Sequence, residues 1–259
     1  LRWAPPKLTS PTVVTVGPDG GSFSLNTSKD YIVRIPQKVS AVGGIVLSGG
    51  HNVVVIGGHI TIPWAGDGAS INDRRALYLK GQTGVAHIEG LLIDNSGGDL
   101  SEGIQIAAPD ATIQIQNVRI TGAHARDQSG FTDNHPDLIQ PWGGAAALRI
   151  DRLSGSTDYQ GFMLKADSNG PLGQVHVSNV NVWPTQSSLS RYLLWQGPDS
   201  VTYPLAYDNV WLTPAAGRSL GKAAWPDVSS SNTAKRAILS ADGESLRWPE
   251  ASKITGVVR

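Results

Sequence analysis

The chain has 259 residues, 21 Lys and Arg against 21 Asp and Glu, and no cysteine. The even charge argues against the basic surplus that nucleic-acid affinity needs. The missing cysteines exclude disulfides and thiolate metal sites, and no apolar run approaches the roughly 18 residues of a membrane span.

Strand signals begin early. "TVVTV" at Thr12, "YIVRIP" at Tyr31, "GIVL" at Gly44 and "NVVVI" at Asn52 are short, β-branched and bounded by Gly, Asn, Asp or Pro. From there the pattern becomes paired. One set of strands reads "ALYLKG" at Ala76, "GIQIAA" at Gly103, "DLIQPW" at Asp137, "GFMLKA" at Gly161 and "YLLWQG" at Tyr192. Their second residues, Leu77, Ile104, Leu138, Phe162 and Leu193, are expected to stack inward as one column. The other set carries an Asn-Val phrase: "IQNVRI" at Ile115, "VSNVNV" at Val177 and "YDNVWL" at Tyr207, with looser relatives at Ile56, Ile88 and Leu148. Alignment puts Gly58, Gly90, Asn117, Ile150, Asn179 and Asn209 in one column, at steps of 32, 27, 33, 29 and 30.

A strand-rich repeat of drifting length near this period reads as a solenoid. Helical periodicity is almost absent, which excludes a doubly wound α/β fold. A sandwich would not keep such columns, and a propeller blade needs about 40 residues. The expectation is an all-β chain folded as a parallel β-helix of about seven coils. Residues 31–213 form the coils, 1–30 an N-terminal cap, and 214–259 a C-terminal cap or extension with a hairpin-like "ILSADGESLRW" at Ile238.

The longest interruption, "TGAHARDQSGFTDNHPD" from Thr121 to Asp137, holds His124, Arg126, Asp127, Asp133, Asn134, His135 and Asp137. A polar loop beside a regular stack is the default place for a site. Register brings Arg75, Glu102, Pro136, Gln160 and Arg191 into a column before the first strands, with His135 and Tyr159 one place earlier and Lys165 near a strand end. Asp137 and Lys165 are expected to face solvent. Trp142, directly after "HPDLIQP", suits stacking against a sugar ring. His51, His59, His87 and His176 read as hydrogen-bonded structural residues.

The coil pattern, the Asn-Val phrase and "HPDLIQPWGG" at His135 together resemble the right-handed parallel β-helix superfamily typified by pectate lyases, over about Ile32 to Thr213. The pectin-specific signatures are missing. The resemblance implies a right-handed coil and a secreted, extracellular protein acting on a polysaccharide or glycan, as a monomer or homotrimer, without nucleic-acid or membrane partners. Three functions stay open. The first is lyase chemistry on a uronic acid, where a cation neutralises the carboxylate and a base takes the α-proton. Its catalytic candidates are Asp137, His135, Lys165, Arg191 and Tyr159, with Trp142, Gln140, Gln160, Asp133, Glu102 and Arg75 binding substrate. The second is a glycoside hydrolase with paired Asp, drawn from Asp133, Asp137, Asp158 and Asp167. The third is a non-catalytic phage-tail or cell-surface glycan-binding module. No cofactor is required, while Asp127, Asp133 and Asp137 offer the oxygen ligands that suit Ca²⁺.

Overall fold

The computed structural model describes residues 1–64, 74–96, 102–125, 136–165, 170–185, 192–195, 203–213, 215–216 and 223–225. The strands in chain order are β1 (Thr12–Thr15), β2 (Gly21–Leu25), β3 (Tyr31–Arg34), β4 (Lys38–Ser40), β5 (Ile45–Gly49) and β6 (Val53–Ile56). Next come β7 (His59–Thr61), β8 (Arg75–Lys80), β9 (Val85–Glu89), β10 (Leu92–Asp94), β11 (Glu102–Ala123) and β12 (Asp137–Gln140). The last six are β13 (Ala145–Thr157), β14 (Gln160–Met163), β15 (Val175–Pro184), β16 (Leu194–Trp195), β17 (Leu205–Leu212) and β18 (Ala224–Trp225). All 18 belong to one sheet. No helix among the described residues is long and apolar enough to cross a membrane.

The all-β content and parallel pairing agree with the sequence, but the expected architecture does not stand. The described residues do not form a right-handed parallel β-helix solenoid of about seven coils. They form a single large parallel sheet curled into a half-barrel. The physical reason lies in strand continuity. β11 runs for 22 residues and β13 for 13 without a break, where separate short coil strands were expected. The first thirty residues also join the sheet, β1 pairing with β3 and β2 with β5.

The Asn-Val phrase is a bend inside these strands. Asn117, Arg152, Asn179 and Asn209 all have positive φ, between 50° and 57°, and Gly57 and Gly90 are positive too, at 62° and 69°. Strand register aligns these six. Asn tolerates the left-handed region better than other residues with side chains, which explains why it marks the bend. Gly57 and Arg152 therefore stand where sequence alignment puts Gly58 and Ile150. A side-chain ladder follows the bend: Asn209 Nδ2 donates to Asn179 Oδ1 at 2.9 Å, and Asn179 Nδ2 donates to Asp151 Oδ1 at 2.7 Å.

Inside the curl, Ile45, Leu77, Ile104, Ile139, Phe162 and Leu194 pair strand to strand and are fully buried. Ile139 and Leu194 occupy the column assigned above to Leu138 and Leu193. Those two are also buried, one residue earlier.

The N-terminal segment runs over the outside of the sheet. Arg2 and Trp3 donate backbone N–H groups to Gln116 Oε1 at 2.9 and 3.1 Å, and Gln116 Nε2 donates to the Trp3 carbonyl at 2.7 Å. Trp3 meets His176 edge-on at 5.3 Å, and Arg2 pairs with Asp208 at 2.9 Å. Six residues on, the Thr9 amide donates to Asp30 Oδ2 at 2.7 Å. The segment thus ties β11, β15 and β17 to the turn before β3.

Candidate active site

Four polar residues start four successive strands of the sheet. Arg75 opens β8 and pairs in register with Glu102, which opens β11. Asp137 opens β12 and pairs with Gln160, which opens β14. The pairs Ile104–Ile139 and Gln105–Gln140 put Asp137 opposite Glu102. The row therefore reads Arg75, Glu102, Asp137, Gln160, at the roughly 4.8 Å spacing of neighbouring strands. Glycine keeps it close. A Cβ on Gly103 would lie 2.3 Å from the Leu138 carbonyl oxygen, so any side chain there would force β12 off β11.

The electrostatics of this row are unusual. Arg75 Nε lies 3.3 Å from Glu102 Oε2, and both side chains are mostly covered, at 20% and 12% exposure. Burial raises the Glu102 carboxyl to about 7, although the charge and hydrogen bond of Arg75 pull the other way. Asp137 is completely buried, and neither carboxyl oxygen has a hydrogen-bond partner among the described residues. Burial pushes it well above the usual carboxylate range, and the charge of Glu102 pushes it further. Gln140 offsets only part of this. The row thus pairs a carboxyl pushed well above its ordinary range with one raised to about 7.

An open cavity of about 280 Å³ adjoins the row, lined by Arg75, Tyr78, Gln105, Ala107, Trp142 and Gly143. The Arg75 guanidinium lies 5.2 Å from the centre of the Tyr78 ring. Gln105 Nε2 donates to Gln140 Oε1 at 3.0 Å, which fixes both amides. Trp142 is 43% exposed and offers a flat apolar face. Arg75 is the one charged side chain among the described residues of this lining, so they favour an anion.

The other sequence candidates are distributed as follows. Asp133, His135 and Arg191 lie outside the described residues, as do Asp127 and Asp167. Gln140 and Gln160 are buried in the row and its neighbour column. The Tyr159 backbone N–H donates to Thr157 Oγ1 at 2.9 Å. Lys165 lies with its Nζ 5.9 Å from the Trp195 ring centre, toward the far end of the strands. Asp137, expected on the solvent face, is wholly covered. Among the described residues no group of three His, Asp or Glu side chains converges as metal ligands would.

One arrangement escaped the sequence reading. Asp158 is buried and holds His124 Nδ1 in a short contact, while its other oxygen accepts from the Ala125 N–H at 2.8 Å. His124 is 44% exposed. The pairing of Ala123 with Thr157 was the signal, since it sets His124 beside Asp158. Two of the other described histidines are held by hydrogen-bonding neighbours. His87 Nδ1 lies 2.8 Å from Gln114 Oε1, and His51 Nδ1 lies 3.1 Å from Asp30 Oδ1. No family model, curated protein or solved structure matches this chain.

Proposed function

We propose that the chain cleaves a uronic-acid-containing polysaccharide by β-elimination, with Glu102 as the base and Arg75 as the cation that neutralises the substrate carboxylate. The observation that carries this reading is the Arg75–Glu102 pair, partly open, on the edge of a cavity whose described lining residues include no acidic side chain. Arg75 turns Nε toward Glu102, which leaves its terminal nitrogens to meet a carboxylate. Neutralising that carboxylate acidifies the C5 proton. A carboxylate poised near 7 is matched to removing it at neutral pH. The electron pair of the C5–H bond then forms the C4–C5 double bond, and the C4–O bond breaks. Tyr78, the hydroxyl on the cavity lining, supplies the proton to the leaving oxygen. Asp137, wholly buried, acts as a positioning residue. Kept protonated, it places no second negative charge beside Glu102.

A polymeric substrate of this kind implies work outside the cell. A second reading, glycoside hydrolysis, is favoured by one feature: two carboxyls opposite each other on neighbouring strands, since a retaining hydrolase needs its two carboxyls close together. The test is incubation with a panel of uronic-acid polymers. Growth of the ultraviolet absorbance of an unsaturated uronate is the expected result. New reducing ends without that absorbance support the hydrolase. Retained binding with neither signal overturns both and leaves a glycan-binding module.

A further inference from the structure

A second cavity, of about 580 Å³, lies where the N-terminal segment meets the turns before β3 and β6. We propose that it binds an acidic saccharide unit, with Lys7 and Lys29 facing the anionic group and Ser10, Thr12 and Ser28 facing sugar hydroxyls. This site stands apart from the Glu102 cavity and does not rest on the cleavage reading.

Its charge balance carries the argument. Lys7 and Lys29 line the cavity, and the one carboxylate among its described lining residues is Asp30. Asp30 is buried and already engaged. It accepts from the Thr9 N–H at 2.7 Å, the Asn52 N–H at 3.2 Å and Asn52 Nδ2 at 3.0 Å, and it meets His51 Nδ1 at 3.1 Å. Its charge is thus absorbed by neighbouring donors, and the lysines dominate the field in the cavity. Concave cationic surfaces concentrate anions.

The rest of the lining suits a polyol. Ser10, Thr12 and Ser28 bring three hydroxyls, with no large apolar side chain among them. Ser28 Oγ donates to Asn26 Oδ1 at 2.7 Å, so its lone pairs remain to accept from a ligand hydroxyl. Ser10 has φ of 47°, a conformation that costs free energy in a residue with a side chain. Such strain gathers at binding and catalytic positions and persists only where the surroundings impose it. Here Asp30 imposes it, by gripping the adjacent Thr9 amide. The volume lies within the roughly 300–1,000 Å³ of small-molecule sites, larger than a lone inorganic anion needs.

The test uses backbone amide NMR on full-length Glu102→Gln protein, so that cleavage does not consume the probe. Three probes are titrated: a glucuronic-acid oligomer, a neutral glucose oligomer and sodium phosphate. The expected result is saturable shifts at Ser10, Lys29 and His51 with the acidic oligomer. Affinity for the neutral oligomer should be at least about tenfold weaker, and a Lys7→Ala/Lys29→Ala double variant should lose at least about tenfold for the acidic one. Both lysines are exposed, so this variant is expected to fold. Equal binding of the neutral oligomer, an unaffected double variant, or shifts confined to Tyr78 and Gln105 would each overturn the proposal. Tighter binding of phosphate than of the acidic oligomer would make this an inorganic-anion site and overturn it as well. Failure of the cleavage assay leaves these readouts untouched.

Discussion

Asp151 and Asp137 are buried almost equally, at 1% and 0% exposure, yet they live in opposite surroundings. Asp151 sits beside the left-handed bend. It accepts from Ser178 Oγ at 2.9 Å and Asn179 Nδ2 at 2.7 Å, and Arg152 Nη2 lies 2.9 Å from its other oxygen. Asp137, at the start of β12, has no hydrogen-bond partner among the described residues and faces the charge of Glu102. A buried carboxylate is tolerated when donors satisfy it, and otherwise keeps its proton. The bend region therefore spends its polar groups on structure. In the row, Arg75 Nε, Glu102 Oε2 and both Asp137 oxygens are buried with no hydrogen-bond partner among the described residues.

The largest effect should come from breaking the satisfied region. Asp151→Ala would strand Ser178, Asn179 and Arg152 in or near the interior. Breaking one side of a buried charged network costs about 3–5 kcal/mol. Chemical denaturation should report a loss of that order. A loss below about 1 kcal/mol would mean that the bend does not depend on this carboxylate.

The second test is the pH dependence of stability. Glu102 rises from 4.5 to about 7 on folding. Between those values the folded chain holds a proton that the unfolded chain has released, so stability falls as pH rises through that window. The shift corresponds to about 3 kcal/mol, fully lost above pH 7. Asp137 acts with the same sign. Asp30 acts oppositely: the Thr9 amide is the main reason it is held below its ordinary value, so its contribution is lost as pH falls through the acid range. Thermal melts should therefore show greatest stability on the acid side of neutrality, and Glu102→Gln should flatten the fall above pH 5. An unchanged profile in that variant would mean that Glu102 is not the titrating group.

Third in size is turnover. On a polymer that the parent cleaves, Glu102→Gln should lower turnover at least about a hundredfold, the lower bound for losing a positioned acid–base group. Arg75→Lys should fall less on a neutral analogue than on the uronate, because a lysine keeps charge but not the fork. Full activity in Glu102→Gln would move the chemistry elsewhere.

The two regions were not equally legible in the sequence. Asn117, Asn179 and Asn209 announced the bend, because Asn is a left-handed residue with an ordinary local signature. Arg152 in the same column gave no such signal, so alignment fell on Ile150. At the starts of β12 and β16 two apolar residues follow each other, Leu138–Ile139 and Leu193–Leu194. A period of two cannot choose between adjacent apolar residues. That one-place slip set Pro136 opposite Glu102, where the fold sets Asp137, and it hid the paired acids. The His124–Asp158 contact spans 34 residues and depends on the β11–β13 register, which shifts between Ile120 and Ala123. Long continuous strands were equally hidden, since the Asn-Val phrase looks like a break and acts as a bend.

The smallest expected effect is the most informative about Asp137. Burial and the charge of Glu102 push its carboxyl well above the ordinary range, and it has no hydrogen-bond partner among the described residues, so Asp137→Asn puts a neutral polar group of nearly equal shape in its place. Stability should change by less than about 1 kcal/mol, in contrast with Asp151. At higher pH the parent must either keep an unfavourable proton or bury a charge, and the variant does neither. The difference between the two proteins should therefore grow in favour of the variant as pH rises. The same substitution leaves Glu102 beside a neutral neighbour, as before, so the pH optimum of cleavage should shift little at pH 6–7. Paired melts and rate profiles of parent and Asp137→Asn check both points. A loss above about 2 kcal/mol at pH 6 would show that Asp137 is ionised and satisfied in the folded chain, which would remove the contrast between the two regions.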